Sequence, residues 1–408
     1  MRIKLYSGLI LLLLCGLTAK AQHGINSIYS AYGIGDIETR DYSRNFGLGS
    51  SGVGRHHSGY LNELNPASYG GLPPQNFMMD VSIKAQQINY SGSNISQSAG
   101  DIDFKRLAIG FKAAKFWGIG AGISPFSTVD YKLLNQRFIG TGTPATETVT
   151  GTGGFNRAYI SNGFQLNKNF SVGVSTAFLF GPLNINEYVG SDSLQTDNNR
   201  YGFKPNFTAG AQYAAKISKN WQLGLGATYR FQTKLKLQEK VTISDESANT
   251  LFTKDMDPSF FTLPGEYAAG ITLTNGTITW VADYRHSLWS SLNEKGATYA
   301  YKDADRYSTG IEYTIKHQYY NQSYEGVILQ AGFSYNNSPL VVSSTQIRDV
   351  SGTLGLSLPS KNGQLRYYLG LEAGQRGKTG AALVKETYVN AVFNFSLRDI
   401  WFFKRLNQ

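Results

Sequence analysis

Apolar and polar residues alternate at every second position along most of the chain from residue 76 onwards. The clearest stretch runs from Trp221 to Leu237, where the odd-numbered positions are almost all apolar and the even-numbered positions are polar or glycine. A period of two predicts a β-strand with one apolar face and one polar face. This stretch is much longer than the usual soluble strand of about 5–6 residues, and it could cross a membrane when tilted.

The same alternation recurs up to the carboxyl terminus and predicts fourteen strands. Two further clear examples begin at Val327 and Val389. The predicted strands cover residues 76–90, 101–112, 116–132, 151–164, 168–190, 200–216, 220–243, 264–274, 276–287, 306–317, 325–342, 346–358, 364–376 and 386–397.

The connections between these strands differ in length. Those after the even-numbered strands are mostly tight, whereas those after the odd-numbered strands are mostly longer. Outer-membrane barrels have this asymmetry between short periplasmic turns and longer outer loops. The sequence therefore predicts an all-β fold, a transmembrane antiparallel β-barrel in contact with outer-membrane lipid. The longer predicted loops are residues 91–100, 133–150, 191–199, 244–263, 288–305 and 377–385.

A soluble β-sandwich is the alternative interpretation. It is disfavoured because nearly every predicted strand carries an apolar stripe, and because aromatic residues such as Trp117 and Trp221 follow the tight turns. A mean hydropathy of −0.26 argues against a bundle of transmembrane helices. The net charge of +10 is spread without a basic run, so a nucleic-acid partner is not expected.

The amino terminus predicts export. Residues 1–21 resemble a signal peptide, because Arg2 and Lys4 precede a short apolar run and small residues flank position 20. A membrane anchor would need a longer apolar run, and a lipidated Cys15 would need a small residue before it. Export predicts the outer membrane of a Gram-negative bacterium. The mature chain then divides into a hatch or plug (22–75), a transmembrane barrel (76–397) and a periplasmic tail (398–408).

Two predicted strands contain proline, which cannot donate to a strand ladder. Ser124-Pro125 interrupts the third strand and Gly181-Pro182 interrupts the fifth. Near Pro182 the apolar positions change from even to odd numbers. Either the strands leave the membrane at these points, or they kink and open the wall sideways.

The sequence contains few groups of residues that could carry out catalysis or bind a metal ion. The adjacent pair His56-His57 has no acidic neighbours, and Asp283 and His286 lie on opposite faces of one strand. The sequence therefore predicts no enzyme, no catalytic residue, no metal site and no cofactor. The polar face of the strands predicts charged residues in the lumen, namely Arg230, Lys234, Asp283, Arg285, Arg366 and Glu372.

A family resemblance rests on several short motifs in order. The hexapeptide Leu64-Asn65-Pro66-Ala67-Ser68-Tyr69 resembles the Asn-Pro-Ala hatch motif of FadL-type outer-membrane proteins, with Asn65, Pro66 and Ala67 in the matching positions. The opening residues 28–36 and the closing residues 398–402 look like the Bacteroidota branch of this group. Further blocks that look like the family's later motifs lie at residues 123–127, 289–291, 307–313 and 330–335.

The resemblance implies a barrel with a hatch that passes hydrophobic small molecules through an opening in its wall. One hypothesis is therefore passive transport of hydrophobic small molecules, which requires an apolar pocket and a gap near Ser124-Pro125. The alternative is a non-transporting scaffold subunit of an outer-membrane secretion or protein-assembly complex, with a sealed lumen and a protein partner. The short loop after the fifth strand favours the alternative, because transporting members usually collect ligand with long outer loops.

Overall fold

The computed structural model describes residues 27–56, 59–93, 96–139, 143–189, 194–245, 247–296, 298–319, 322–361, 363–380 and 383–401. The predicted signal peptide and the end of the predicted tail lie outside these ranges. No helix in the described ranges is long and apolar enough to cross a membrane.

The described residues from Asn76 onwards form fourteen antiparallel strands that close into a barrel, because the first strand pairs with the last. Each other strand pairs mainly with its neighbours in sequence. The strands are β1 Asn76–Ser91, β2 Ser96–Ala114, β3 Trp117–Pro125 and Ser127–Ile139, β4 Thr143–Gly153 and Asn156–Gln165, β5 Phe170–Val189, β6 Leu194–Lys216, β7 Gln222–Arg230 and Thr233–Ser244, β8 Thr250–Leu263 and Glu266–Thr274, β9 Ile278–Ser287, β10 Ala304–Tyr319, β11 Gln322–Val342, β12 Thr345–Pro359, β13 Leu365–Arg376 and β14 Lys385–Ile400.

The remaining elements are short. Four 3₁₀-helices occur in the described ranges, at Ile28–Ala31, Phe46–Leu48, Pro66–Gly71 and Ser290–Leu292. Two short strands, Asp36–Ile37 and Tyr299–Tyr301, pair with β3 and β11. The prediction of an all-β barrel with fourteen strands is confirmed.

The two faces of each strand differ in the way that the sequence pattern predicts. On β10, Ile311 and Tyr313 are exposed on the outer face, whereas Glu312 and Thr314 are buried on the inner face. Successive side chains of a strand point to opposite sides, so a regular alternation produces an apolar exterior and a polar interior. The apolar exterior is the surface that meets the lipid.

The prediction of long loops between the strands was mostly wrong. Residues 133–150, 191–199 and 244–263 belong largely to the paired strands β3 to β8. The strand β6 alone has 23 residues, more than the roughly 9–11 that a bilayer requires. The sequence of these segments does not alternate regularly between apolar and polar residues. They therefore carry no apolar stripe by which the sequence could reveal them.

The single apolar face predicted for residues 221–237 was also wrong. Leu225 and Tyr229 are exposed on the outer face, but Leu235 and Leu237 are buried inside the barrel. Lys236 is exposed outside. The alternation therefore changes face within β7.

The cause of this change is a β-bulge between the two segments of β7. The pairs Arg230–Thr208 and Leu237–Gly202 bracket one more residue on β7 than on β6. An extra residue reverses the side to which every later side chain points. The even-numbered polar face of the sequence pattern predicted Lys234 in the lumen, but Lys234 lies outside. Its Nζ is 4.4 Å from the centre of the Phe260 ring.

The change of apolar phase near Pro182 has a different cause. Even-numbered residues of β5 such as Val174 and Phe178 stay outside throughout, and Leu179 and Leu183 face inward. Near Pro182, the interior of the barrel is itself lined by apolar side chains. The inward apolar cluster consists of Ile34, Phe126, Val129, Tyr131, Phe155, Leu179, Leu183, Leu235, Leu237, Phe261, Leu263, Trp289 and Ala304.

The barrel also ends later than predicted. Residues 398–400 were placed in the periplasmic tail, but β14 continues to Ile400, which pairs with Asn76 at the start of β1. The final strand therefore covers the whole edge that β1 presents for closure.

The reversal within β7 can be tested by thiol labelling in a chain whose only cysteine, Cys15, is replaced by serine. We expect Lys236→Cys to react with a water-soluble maleimide in the purified folded barrel. Leu235→Cys should react only after denaturation, because position 235 is fully buried. The opposite labelling pattern would contradict the bulge.

Candidate functional site

The candidate site is the interior of the barrel, which is occupied by residues 27–56 and 59–75, here called the inner segment. The helix Pro66–Gly71 contacts β2 to β6, and the helix Phe46–Leu48 contacts β10 to β13. The helix Ile28–Ala31 contacts the second segment of β3. The inner segment therefore contacts opposite sides of the wall.

The predicted hatch motif lies at the centre of these contacts. Asn65 is fully buried and caps the helix Pro66–Gly71, since its Oδ1 accepts a hydrogen bond from the Ala67 amide at 3.1 Å. Its Nδ2 donates to the carbonyl oxygens of Val53 at 3.1 Å and Ala211 at 3.0 Å. A single asparagine thus joins the helix, the rest of the inner segment and β6.

Inward-facing glycines let the inner segment reach the backbone of the wall. A Cβ on Gly173 would lie 2.4 Å from the carbonyl carbon of Pro66, and one on Gly310 would lie 2.5 Å from the Cα of Leu48. Real side chains do not tolerate such distances. Glycines in close approach to the inner segment include Gly118, Gly120, Gly163, Gly173, Gly210, Gly224, Gly226, Gly270, Gly310, Gly332 and Gly370.

Buried ion pairs add a second kind of contact. Arg44 of the inner segment lies 2.8 Å from Glu312 of β10 and 2.9 Å from Glu325 of β11. Arg55 donates to the same Glu312 carboxylate. The side chains of Arg44, Arg55 and Glu312 are at most 5% exposed. A charge at such a depth requires a partner.

Two further clusters repeat the arrangement elsewhere on the wall. Arg40 of the inner segment lies 2.8 Å from the predicted lumen residue Glu372 and 3.1 Å from Asp349. On β2, three strands from β13 through the barrel closure, the charges are exchanged, because Arg106 lies 3.5 Å from Asp41 of the inner segment.

Arg106 reaches the interior through a bulge in β2. The register shifts where Ser82 pairs with Arg106 and Ile83 with Phe104, so Lys105 and Arg106 are both buried. Lys105 lies 3.4 Å from Glu38 of the inner segment. Burial alone would raise the pKa of the Glu38 carboxyl, but the cations Lys105 and Arg40 outweigh burial and lower it to about 2.

The other predicted lumen residues have separate surroundings. Asp283 accepts hydrogen bonds from the backbone amides of Gly52 at 2.6 Å and Val53 at 3.0 Å. Arg366 donates to the carbonyl oxygens of Glu325 and Gly326 on β11.

Only two of the predicted lumen residues share a partner. Arg230 lies 3.1 Å and Arg285 3.6 Å from the carboxylate of Glu266. The structure thus brings Arg230 and Arg285 together, whereas Asp283 and Glu372 bind different parts of the inner segment.

Sequence reasoning missed the inner segment's own charges. Arg40, Arg44 and Arg55 lie in a stretch without periodicity, so no pattern indicated which wall carboxylates they meet. Glu312 could have been found, because it is the inward-facing carboxylate of an otherwise regular strand. No group of three His, Cys, Asp or Glu side chains is arranged for a metal ion in the described ranges, and His57 lies outside them.

A cavity of about 140 Å³ remains between the inner segment and the wall. Its lining is strongly charged, whereas transport of hydrophobic molecules required an apolar pocket. Cations outnumber anions in the lining, which contains Arg40, Lys84, Lys105, Arg230, Arg285, Arg306 and Arg376 beside Asp36, Glu38, Glu266, Asp349 and Glu386.

The wall is interrupted beside Pro125. The β2–β3 ladder runs from the turn as far as the pair Leu107–Ile123, and β3 then breaks at Phe126. Beyond this point the described residues of β2 have a strand partner on one side only, which is β1. The second segment of β3 turns towards the inner segment and pairs with Asp36–Ile37.

Ser124 and the second proline site are both paired. Ser124 accepts a hydrogen bond from Arg157 of β4 at 2.8 Å. At Gly181-Pro182, β5 pairs continuously with β6, and the Pro182 carbonyl accepts a hydrogen bond at 2.8 Å from the amide of Gly154, which lies between the two segments of β4. The ladder between β5 and β6 is thus continuous at Gly181-Pro182, whereas the ladder between β2 and β3 ends beside Pro125.

The close approach at Gly173 makes a testable prediction. Gly173→Val should displace the helix Pro66–Gly71 and destabilise the barrel by about 1–3 kcal/mol, as overpacking usually does. Gly352→Val is the control, since no described atom lies within 4 Å of the position that a Cβ would take there. Loss of the fast-migrating folded band on heating, followed by gel electrophoresis, gives the melting temperature. Equal melting temperatures for both variants would contradict the close packing.

Solved structures with the same fold include a FadL homologue and two toluene transporters. A FadL homologue from Pseudomonas aeruginosa superposes with a TM-score of 0.63 at 12% identity, covering 90% of this chain and 100% of that one. The toluene transporter TodX from P. putida gives 0.59 at 17% identity, covering 90% and 100%. The toluene transporter TbuX from Ralstonia pickettii gives 0.56 at 16% identity, covering 88% and 98%.

At these identities the likeness establishes the fold, that of FadL-type outer-membrane barrels. No curated protein matches the chain in sequence. A family model does match, and it covers residues 3–407. The chain therefore belongs to the BamG family.

Proposed function

We propose that this protein is a non-transporting barrel subunit of an outer-membrane protein-assembly complex. The observation that carries the proposal is that buried ion pairs hold the inner segment to the barrel wall. Arg40 and Arg44 bind wall carboxylates on β10 to β13, and Asp41 binds Arg106 on β2. Opening the lumen would separate several buried pairs at once, which is unfavourable wherever a charge stays buried without its partner.

The charged lining of the cavity also supports a sealed barrel. A hydrophobic molecule that entered it would bury Arg285, Arg306 and their neighbours without water or an added partner. Burying charge against an apolar molecule is strongly unfavourable. The interior is therefore poorly suited to pass such molecules.

A surface for a protein partner lies on the hairpin formed by the outer segments of β7 and β8. The segment Thr250–Leu263 of β8 pairs with β7 alone among the described strands, and its residues 250–258 are all exposed. Leu251, Phe252 and Met256 are 59%, 48% and 44% exposed. Exposed apolar side chains beside an unpaired strand edge are typical of interaction sites.

Membership of the BamG family favours the same interpretation, since the family model points towards an assembly role. The lipid-facing exterior remains available for neighbouring membrane proteins. No catalytic step is required of the chain in this role.

Passive uptake of a hydrophobic small molecule is the second candidate, and one observation favours it. The interrupted wall beside Pro125 leaves one edge of β2 without a strand partner next to the cavity, whose lining includes Lys105 and Thr128. In this role the inner segment would act as a movable hatch and the gap as the lateral exit.

The proposal is tested by purification of the tagged chain from its own outer membrane in mild detergent, followed by quantitative mass spectrometry. We expect outer-membrane proteins at fixed stoichiometry. Replacing Leu251, Phe252 and Met256 by serine should lower their recovery about tenfold, because apolar contacts at an interface centre dominate its affinity. The variant should keep the folded band on unheated gels.

The matched control replaces Leu134 and Leu194 by serine, because both are exposed near the ends of other outer hairpins, at 68% and 49%. This control should retain the partners. A chain that purifies without partners, and that carries labelled toluene into proteoliposomes, would contradict the assembly role and favour uptake.

A further inference from the structure

Three arginines on neighbouring strands converge on the cavity. Arg230 lies on β7, Arg285 on β9 and Arg306 on β10, and all three line the cavity together with Glu266 of β8. Arg285 and Arg306 are direct partners in the antiparallel register. Directly opposite side chains have Cβ atoms about 5 Å apart, and like charges in such pairs repel.

The carboxylates nearby are already engaged. Glu266 lies 3.1 Å from Arg230 and accepts a hydrogen bond from Ser287 at 2.6 Å. Glu372 and Asp349 bind Arg40.

Asp283, the remaining nearby carboxylate, accepts the inner segment's amides through its Oδ2, whereas its Oδ1 has no hydrogen-bond partner among the described residues. Counted together with Arg40, the four cations face four carboxylates, but Arg306 is the cation that none of these carboxylates approaches within 4.0 Å.

Arg306 carries the clearest sign of a missing partner. It is 7% exposed, and no carboxylate among the described residues lies within 4.0 Å of its guanidinium. Its Nη atoms donate only to backbone carbonyls, those of Thr39 and Gly49. Its Nε has no hydrogen-bond partner among the described residues. A buried guanidinium group without a counter-charge is costly unless an anion occupies the space beside it.

We propose that Arg230, Arg285 and Arg306 form a binding site for a phosphoryl oxyanion in this cavity. Guanidinium groups present planar donors that match phosphate oxygens, and three of them surround a space with room for several water molecules. The anion neutralises the repulsion between Arg285 and Arg306. It would bind equally in a sealed subunit and in a channel.

The phosphoryl group has two conceivable sources. The cavity lining includes Lys105 of β2 and Thr128 of β3, which flank the interrupted wall. A free phosphate ion can enter from the aqueous side, and the head group of an amphiphile can enter through the interruption. Both sources offer the same oxygens to the arginines.

The test measures the thermal midpoint and the affinity of the purified full-length barrel with inorganic phosphate and with octyl phosphate, at constant ionic strength set by sodium chloride. Phosphate should raise the midpoint of the natural protein in a saturable way. Tighter binding of octyl phosphate assigns the site to an amphiphile, and equal binding assigns it to the free ion. Absence of saturable binding by both probes would overturn the proposal.

Arg285→Gln is the diagnostic variant, because Glu266 keeps Arg230 and Ser287 as partners when Arg285 is removed. We expect its affinity for the probes to fall about tenfold. Its midpoint in phosphate-free buffer should equal or exceed that of the natural protein, since one of two opposed cations is gone. A purely structural arginine would instead lower the midpoint in every buffer, and that result would contradict the proposal.

Lys236→Gln is the matched control, because it removes one positive charge from the outer face of β7. It should bind both probes as the natural protein does. An equal loss of affinity in the control would show that only the net charge matters, and it would contradict the proposed site. Arg285→Lys should have part of the affinity that Arg285→Gln loses, since lysine keeps the positive charge but lacks the planar guanidinium donors.

Discussion

Burial of charge inside the barrel is the constraint on which the rest of the structure depends. Glu312 of the wall lies in an interior with almost no exposure, and it is stable there only because Arg44 and Arg55 of the inner segment reach it. The same relation, with the signs exchanged, holds between Arg106 and Asp41. The wall and the inner segment therefore need each other, and neither has a neutral surface at these contacts.

The wall adapts to this requirement in two ways. Inward glycines such as Gly173 and Gly310 bring the inner segment against the strand backbone, which places its arginines within reach of wall carboxylates. Bulges redirect side chains where a regular strand would point them outward, as for Lys105 and Arg106 on β2. The ladder between β2 and β3 ends close to this bulge, and Asp36–Ile37 of the inner segment pairs with the second segment of β3.

Strand alternation was sufficient to predict the fold, because a lipid exterior forces a period of two on each strand. The number of strands and most of their bounds followed, including regular strands such as β10 and β13. The face of Leu235 could not be predicted, because one extra residue reverses it and register depends on a neighbouring strand. The site was predicted only in part: Glu372 and Arg285 were identified as lumen residues, but their partners come from distant parts of the sequence that have no periodic pattern.

A barrel whose interior is held by charge can serve as a rigid body for neighbouring proteins, with an outer hairpin to contact them. The most direct test of whether the inner segment stays bound to the wall is hydrogen–deuterium exchange on the intact barrel. The amides of residues 41–54, which are all buried, should exchange as slowly as those of β10. Exchange of residues 41–54 at the rate of an unfolded peptide, while β10 stays protected, would show an inner segment that leaves the wall freely and would contradict the account.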